Sequence, residues 1–267
     1  MLKDVTLGQY YQTDSWMHRL DPRVKLLGTL SYIIILFVVN SVPGYLVCGA
    51  FLLVCVLLSR VPFGYILRGL KTIMVLLLIT VLFNLFLTPG EPLVSFWKFT
   101  ITKEGLTFSI KMAVRLIFLI IASTLMTLTT SPNQLTDALE SVLGPLKKLH
   151  VPVHEISMMM SIALRFIPIL MEETDKIMKA QMARGADFDS GNLINKIKAM
   201  VPLLVPLFIS AFRRANDLAM AMEARCYHGG EGRTKMKPLV YRKGDVGAYG
   251  VLCAFLAACI VIRVMGV

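Results

Sequence analysis

Five apolar runs, near residues 24–39, 45–58, 72–87, 108–130 and 246–262, constrain this 267-residue chain more than anything else in it. Runs of this kind belong in a bilayer. There, every backbone N–H and C=O must find its partner within the protein, so each run reads as a helix. Composition agrees: 56% of the residues are hydrophobic and only 17% are charged, whereas soluble domains are about a quarter charged. Mean hydropathy is +0.68. The expectation is an all-α polytopic membrane protein with about five transmembrane helices.

The net charge of +11 fits basic cytoplasmic loops facing anionic lipid, and no nucleic-acid partner is expected. Arg23 and Lys25 stand at the first run, and Arg60, Arg68 and Lys71 lie between the second and third. Arg233, Lys235, Lys237, Arg242 and Lys243 precede the last. These anchors place the N-terminus and the basic loops in the cytoplasm, and five crossings then leave the C-terminus outside. The uncharged turn 40–44 and the segment 88–107, with Phe96, Trp97 and Phe99 as interfacial aromatics, fall on the outer side. Residues 1–23 lack the charged-then-apolar layout of a cleaved signal peptide. The five cysteines are scattered and suggest neither a disulfide framework nor a zinc site.

The spacing divides the chain into 1–130, with four spans, 131–243, a cytoplasmic or interfacial domain, and 244–267, the last span. Ser131-Pro132-Asn133-Gln134 is a capping box with proline at the first helical position. An amphipathic helix follows on Leu135, Leu139, Val142, Leu146 and Leu149, interrupted at Gly144-Pro145. Residues 152–230 then read as two long helices of about 35 residues, roughly 50 Å each, joined by a short loop. The first closes on Ala183-Arg184-Gly185, with Gly185 in the left-handed position. Ser190 or Asn192 is the expected cap of the second, which ends at Ala224-Arg225-Cys226. Arg184 and Arg225 therefore stand near opposite extremities of the pair.

Each long helix has an apolar half, 156–171 and 199–212, shorter than a full span, which reads as buried, re-entrant or interfacial. Pro168, Pro202 and Pro206 predict bends. Met158, Met159, Met160, Met171 and Met178 give a deformable face, suited either to core packing or to an exchangeable partner. Catalytic and metal-ligating sets are not expected. There is no phosphate-binding glycine loop followed by lysine. His154-Glu155 opens like a zinc-protease helix but lacks the second histidine, and Pro152 separates His150 from His154. Lys111 and Arg115, four apart near the outer end of the fourth span, suit either snorkelling or pairing with a partner subunit.

Three sets of residues together resemble the transmembrane T component of energy-coupling-factor (ECF) transporters. They are Gly8-Gln9-Tyr10, Ser15, His18 and the run Leu20-Asp21-Pro22-Arg23-Val24-Lys25-Leu26-Leu27; Ala183-Arg184-Gly185; and Ala224-Arg225-Cys226. A glycine is frequent in that family where Cys226 stands, so the local turn there is expected to differ. The resemblance implies a subunit of the bacterial plasma membrane that couples two cytoplasmic ABC-type ATPases to a substrate-binding S component. Its cargo would be a micronutrient, a vitamin or a metal ion. The long pair would be the coupling helices, with Ala183, Arg184, Gly185, Ala224, Arg225 and Cys226 docking the ATPases. Met158, Met159, Ala163, Ile167, Leu204 and Phe208 would touch the S component. The chain itself would hold no cofactor, since ATP and Mg would be bound by the ATPases. Two other readings are a scaffold that transmits no force and a lipid-modifying enzyme built on His154, Glu155 and Arg165.

Overall fold

The computed structural model describes residues 10–96, 99–186, 188, 193–230, 232, 236 and 238–265. The chain is helical, in two units. The first is built from Gly8–Ser141 and Leu239–Val267, the second from Val142–Pro238. The sequence-based divisions fell at 130/131 and 243/244; here the helix after the fourth span belongs largely to the first unit.

The first unit opens with the single turn α1 (Trp16–Arg19), then α2 (Pro22–Val38), α3 (Val42–Ser59) and α4 (Phe63–Leu87). A two-stranded antiparallel hairpin, β1 (Pro92–Phe96) and β2 (Phe99–Thr102), leads into α5 (Lys103–Thr129). Next comes α6 (Pro132–Leu143), and the last helix of the chain, α9 (Lys243–Val264), completes the unit. Nothing in the residue pattern pointed to the hairpin. The expected box at α6 is present, with Ser131 N donating to Gln134 Oε1 (3.1 Å) and Gln134 N to Ser131 Oγ (3.4 Å). Gly144-Pro145 ends that helix and begins a tight 3-10 segment, Gly144–Leu149.

Helices α2, α3, α5 and α9 pack around one apolar cluster that includes Tyr32, Leu36, Cys48, Leu52, Ala122 and Phe255. The rings of Tyr32, Phe51 and Phe255 stack, Phe51 and Phe255 at 4.2 Å between centroids. In lipid such contacts hold by close packing rather than by removal from water. By length and composition α3, α5, α7 (Val153–Ala183) and α9 are able to cross a membrane, and α4 makes a fifth if its two parts, bent by 57°, form one span. The number agrees with the sequence; the membership does not. Helix α2 has 17 residues, about 25 Å at 1.5 Å per residue, just short of the hydrocarbon layer. Helix α7 qualifies because its few charges near the start leave an apolar window before the charged half begins.

Two basic groups read as surface anchors turn out to be internal ties. Asp21 caps α2, and its carboxylate accepts from Arg23 N (2.9 Å), Nε (3.0 Å) and Nη2 (2.8 Å). Arg23 also donates to Leu239 O (3.0 Å) and lies 3.8 Å from the Tyr241 ring centroid. Lys25, only 5% exposed, donates to Thr129 O (2.8 Å) and His18 O (3.3 Å). Burial alone would raise the Asp21 carboxyl, but its bonds to Arg23 hold it below the ordinary carboxylate range. Arg115 is engaged within the unit. Its Nη2 meets Val39 O (3.2 Å), Asn40 Oδ1 (2.8 Å) and Tyr45 Oη (2.8 Å), fastening the α2–α3 turn to α5.

Candidate functional site

The second unit is dominated by α7 and α8 (Leu193–Glu223), each of 31 residues and packed against one another. Pro152 is the residue before the first turn of α7. The expected caps of α8, Ser190 and Asn192, lie outside the described residues. Three contacts tie the pair in reverse order. Gln181 Nε2 donates to Pro202 O (3.3 Å), and Arg214 Nη2 to Glu173 Oε2 (3.0 Å). Gly230 crosses so close to His154 that a Cβ there would overlap the imidazole ring. The helices are thus antiparallel, and each runs unbroken through its internal prolines.

The Gln181 contact has a simple cause. In a regular helix Pro202 O would accept from the N–H of residue 206, but residue 206 is proline and has none. Gln181 supplies the missing donor. The sequence holds the signal, a proline four residues after an accepting carbonyl, but not the identity of the donor. Arg214 is held in an ion pair with Glu173, at 37% and 27% side-chain exposure.

Both C-termini close in the same way. At the end of α7, Ala186 N donates to Gln181 O and Gly185 N to Met182 O, each at 3.0 Å. At the end of α8, Tyr227 N donates to Met222 O (3.1 Å) and Cys226 N to Glu223 O (2.8 Å). These are two Schellman motifs in one register, with the arginine as the last half-helical residue and the next residue left-handed. Gly185 has φ +89° and Cys226 φ +55°. The expected departure at Cys226 is therefore absent from the backbone: the cysteine adopts the glycine conformation.

Arg184 and Arg225 are both exposed, and neither guanidinium has an ion pair or side-chain hydrogen bond among the described residues. Each positive charge sits where the carbonyl end of the helix favours it. The span from His154 to Gln181 is roughly 40 Å at 1.5 Å per residue, so the arginines stand about that far apart along the pair. Ala183, Ala224 and Cys226 are exposed beside them. Along the apolar halves Met159, Ala163, Ile167, Leu204 and Phe208 are exposed and Met158 is half-buried. His154, Glu155 and Arg165 do not converge. Arg165 lies 11 residues beyond His154, about 16 Å up the same helix, which leaves an enzyme reading without a centre.

This is thus a helical membrane protein whose long pair carries two matched, arginine-tipped helix ends and an exposed apolar face. Comparison with known proteins gives the family. The family model for cobalt transport proteins (CbiQ) matches residues 13–236. The energy-coupling factor transporter transmembrane protein EcfT of Clostridium kluyveri is 58% identical over 262 residues, covering 97% of this chain and 96% of that one. Those of Acidaminococcus fermentans and Bacillus subtilis are 53% and 48% identical, over 96% and 98% of this chain and 98% and 100% of theirs. The chain belongs to the EcfT family of ECF transporter transmembrane components.

Proposed function

We propose that this chain is the coupling subunit of an ATP-driven micronutrient uptake transporter, joining two cytoplasmic ABC-type ATPases to a substrate-binding S component. The observation that carries the reading is the pair of helix ends with the same hydrogen-bond pattern, each presenting an exposed arginine at opposite ends of an antiparallel pair. Two equal ends suit two related partners. Arginine suits the task because its planar fork pairs bidentately with a carboxylate or spans two backbone oxygens, where lysine offers a point charge. ATP and Mg belong to the ATPases, whose closure draws the two anchored ends together. The Glu173–Arg214 and Gln181–Pro202 ties pass that shift between α7 and α8 beneath the S component. The cargo is a vitamin or a metal ion selected by the S component, and the setting is the bacterial plasma membrane with the N-terminus and long helices on the cytoplasmic side.

The test is ATPase pull-down together with uptake into vesicles supplied with ATP. Arg184→Ala and Arg225→Ala each lower both readouts, and the double variant is worse than either. Loss of one partner of a buried hydrogen-bonded charge pair costs about 2–5 kcal/mol. Lysine at either position restores part of the loss. Near-normal binding and uptake in the double variant would sink the assignment, while lower yield with intact activity per complex would point to a scaffold that transmits no force. Met159 and Phe208, 58% and 61% exposed, lie on the face assigned to the S component with Met158, Ala163, Ile167 and Leu204. Met159→Glu or Leu204→Glu releases that subunit and leaves the ATPases bound, a charge in such a setting costing about 3 kcal/mol.

A further inference from the structure

Within the first unit, α1, α2, α3, α5 and α9 line a half-open apolar cavity of about 370 Å³. Its wall is hydrocarbon and aromatic, with Leu20, Phe51, Leu125 and Leu252 prominent. The polar groups that reach it are turned elsewhere. Lys25 donates to His18 O and Thr129 O, and Thr129 Oγ1 to Leu125 O (2.8 Å). Water needs two to four polar partners to occupy such a space, and this wall offers few. A methylene fills about the 30 Å³ that a water takes in the liquid, so the cavity holds about a dozen. That is most of one fatty acyl chain. Gly28 forms part of the wall, and a Cβ added there would meet nothing within 4 Å.

The mouth is of a different character. A second concavity shares Trp16 and Leu58 with the first and is lined further by Asp14, Arg19 and Arg60. Arg19 is held in a two-bond pair with Asp14. Arg60, the left-handed residue that ends α3, is exposed and has no side-chain ion pair or hydrogen bond among the described residues. Trp16, 45% exposed at the rim, is the residue type that settles where hydrocarbon meets headgroups. A chain-sized apolar groove with Arg60, free of a hydrogen-bonded partner among the described residues, at its edge is complementary to one kind of molecule that a bilayer supplies in abundance.

We infer that the cavity holds one acyl chain of an anionic phospholipid whose phosphate rests on Arg60. The full-length protein is purified, washed free of lipid in detergent, and offered equal amounts of phosphatidylglycerol and phosphatidylcholine, and bound lipid is counted by native mass spectrometry. The wild-type chain retains a single lipid and prefers phosphatidylglycerol. Gly28→Leu, which fills the cavity from α2 and replaces a helical glycine, loses the retained lipid without a lower melting temperature. Ala248→Leu, filling it from α9, does the same and stands in if the first variant folds poorly. Arg60→Gln keeps a lipid but loses about fivefold of the preference, the worth of one cation near an anionic lipid. Glycerol phosphate in excess leaves the lipid in place. Equal retention of the two lipids by the wild type, full retention by both cavity-filling variants, or displacement by glycerol phosphate would each overturn the inference.

Discussion

Cys226 holds a backbone conformation that L-residues avoid, with φ +55° where the matching end of α7 has a glycine. A side chain in the left-handed region costs about 1 kcal/mol relative to glycine. Cys226→Gly should therefore raise stability by up to about 1 kcal/mol while ATPase pull-down is retained, and Gly185→Ala should lower it by a similar amount. Thermal unfolding in detergent reads both, and a fall on Cys226→Gly would mean the thiol makes a contact worth more than the backbone cost. Asp21 carries a second prediction. Its folded carboxyl lies below the ordinary range, so the unfolded chain binds the proton more readily. The stabilisation is complete above the unfolded value near pH 4 and is lost as the pH falls through the folded one. Melting temperature should drop on acidification below about pH 4, and Asp21→Asn should start lower and show less of that drop.

The long pair is an element whose rigidity comes from a few cross-ties. The Glu173–Arg214 ion pair is more than a quarter exposed on each side, so a double-mutant cycle should return a coupling of only about 0.5–1 kcal/mol. Gln181→Ala leaves Pro202 O without its donor and should cost about 1 kcal/mol. If Gln181→Ala is silent in thermal unfolding, water or another side chain satisfies that carbonyl. Much of this element was legible in advance. Gly185 marked a helix end, and the two long helical runs were foreseen. The second helix end was harder to read because its turn is made by a cysteine, and local propensity argues against it. The internal contacts of Asp21, Lys25 and Arg115 were not foreseen for a common reason. Their partners Asp245, Thr129 and Asn40 are remote in sequence, and no periodicity reports a contact across that distance.

On the scale of the whole molecule, the open choice is which helices traverse the bilayer. With α2, α3, α4, α5 and α9 as the crossing set, reporters placed at residue 188 and near residue 236 both read cytoplasmic, and one after residue 265 reads external. A reporter at residue 188 that reads external would instead mean that α7 crosses. The first unit also joins parts of the chain made far apart in time. Asp21 N donates to Asp245 Oδ1 (2.8 Å), a bond spanning 224 positions, and α9 packs on α2 and α3. A ribosome adding about 5–20 residues per second needs on the order of ten seconds or more to travel from one to the other. Through that interval α2 and α3 sit in the bilayer without the helix that covers them, exposed to quality control. A nascent chain stalled before residue 243 should thus be a substrate for membrane proteases, whereas the finished chain, closed by its own last helix, is not.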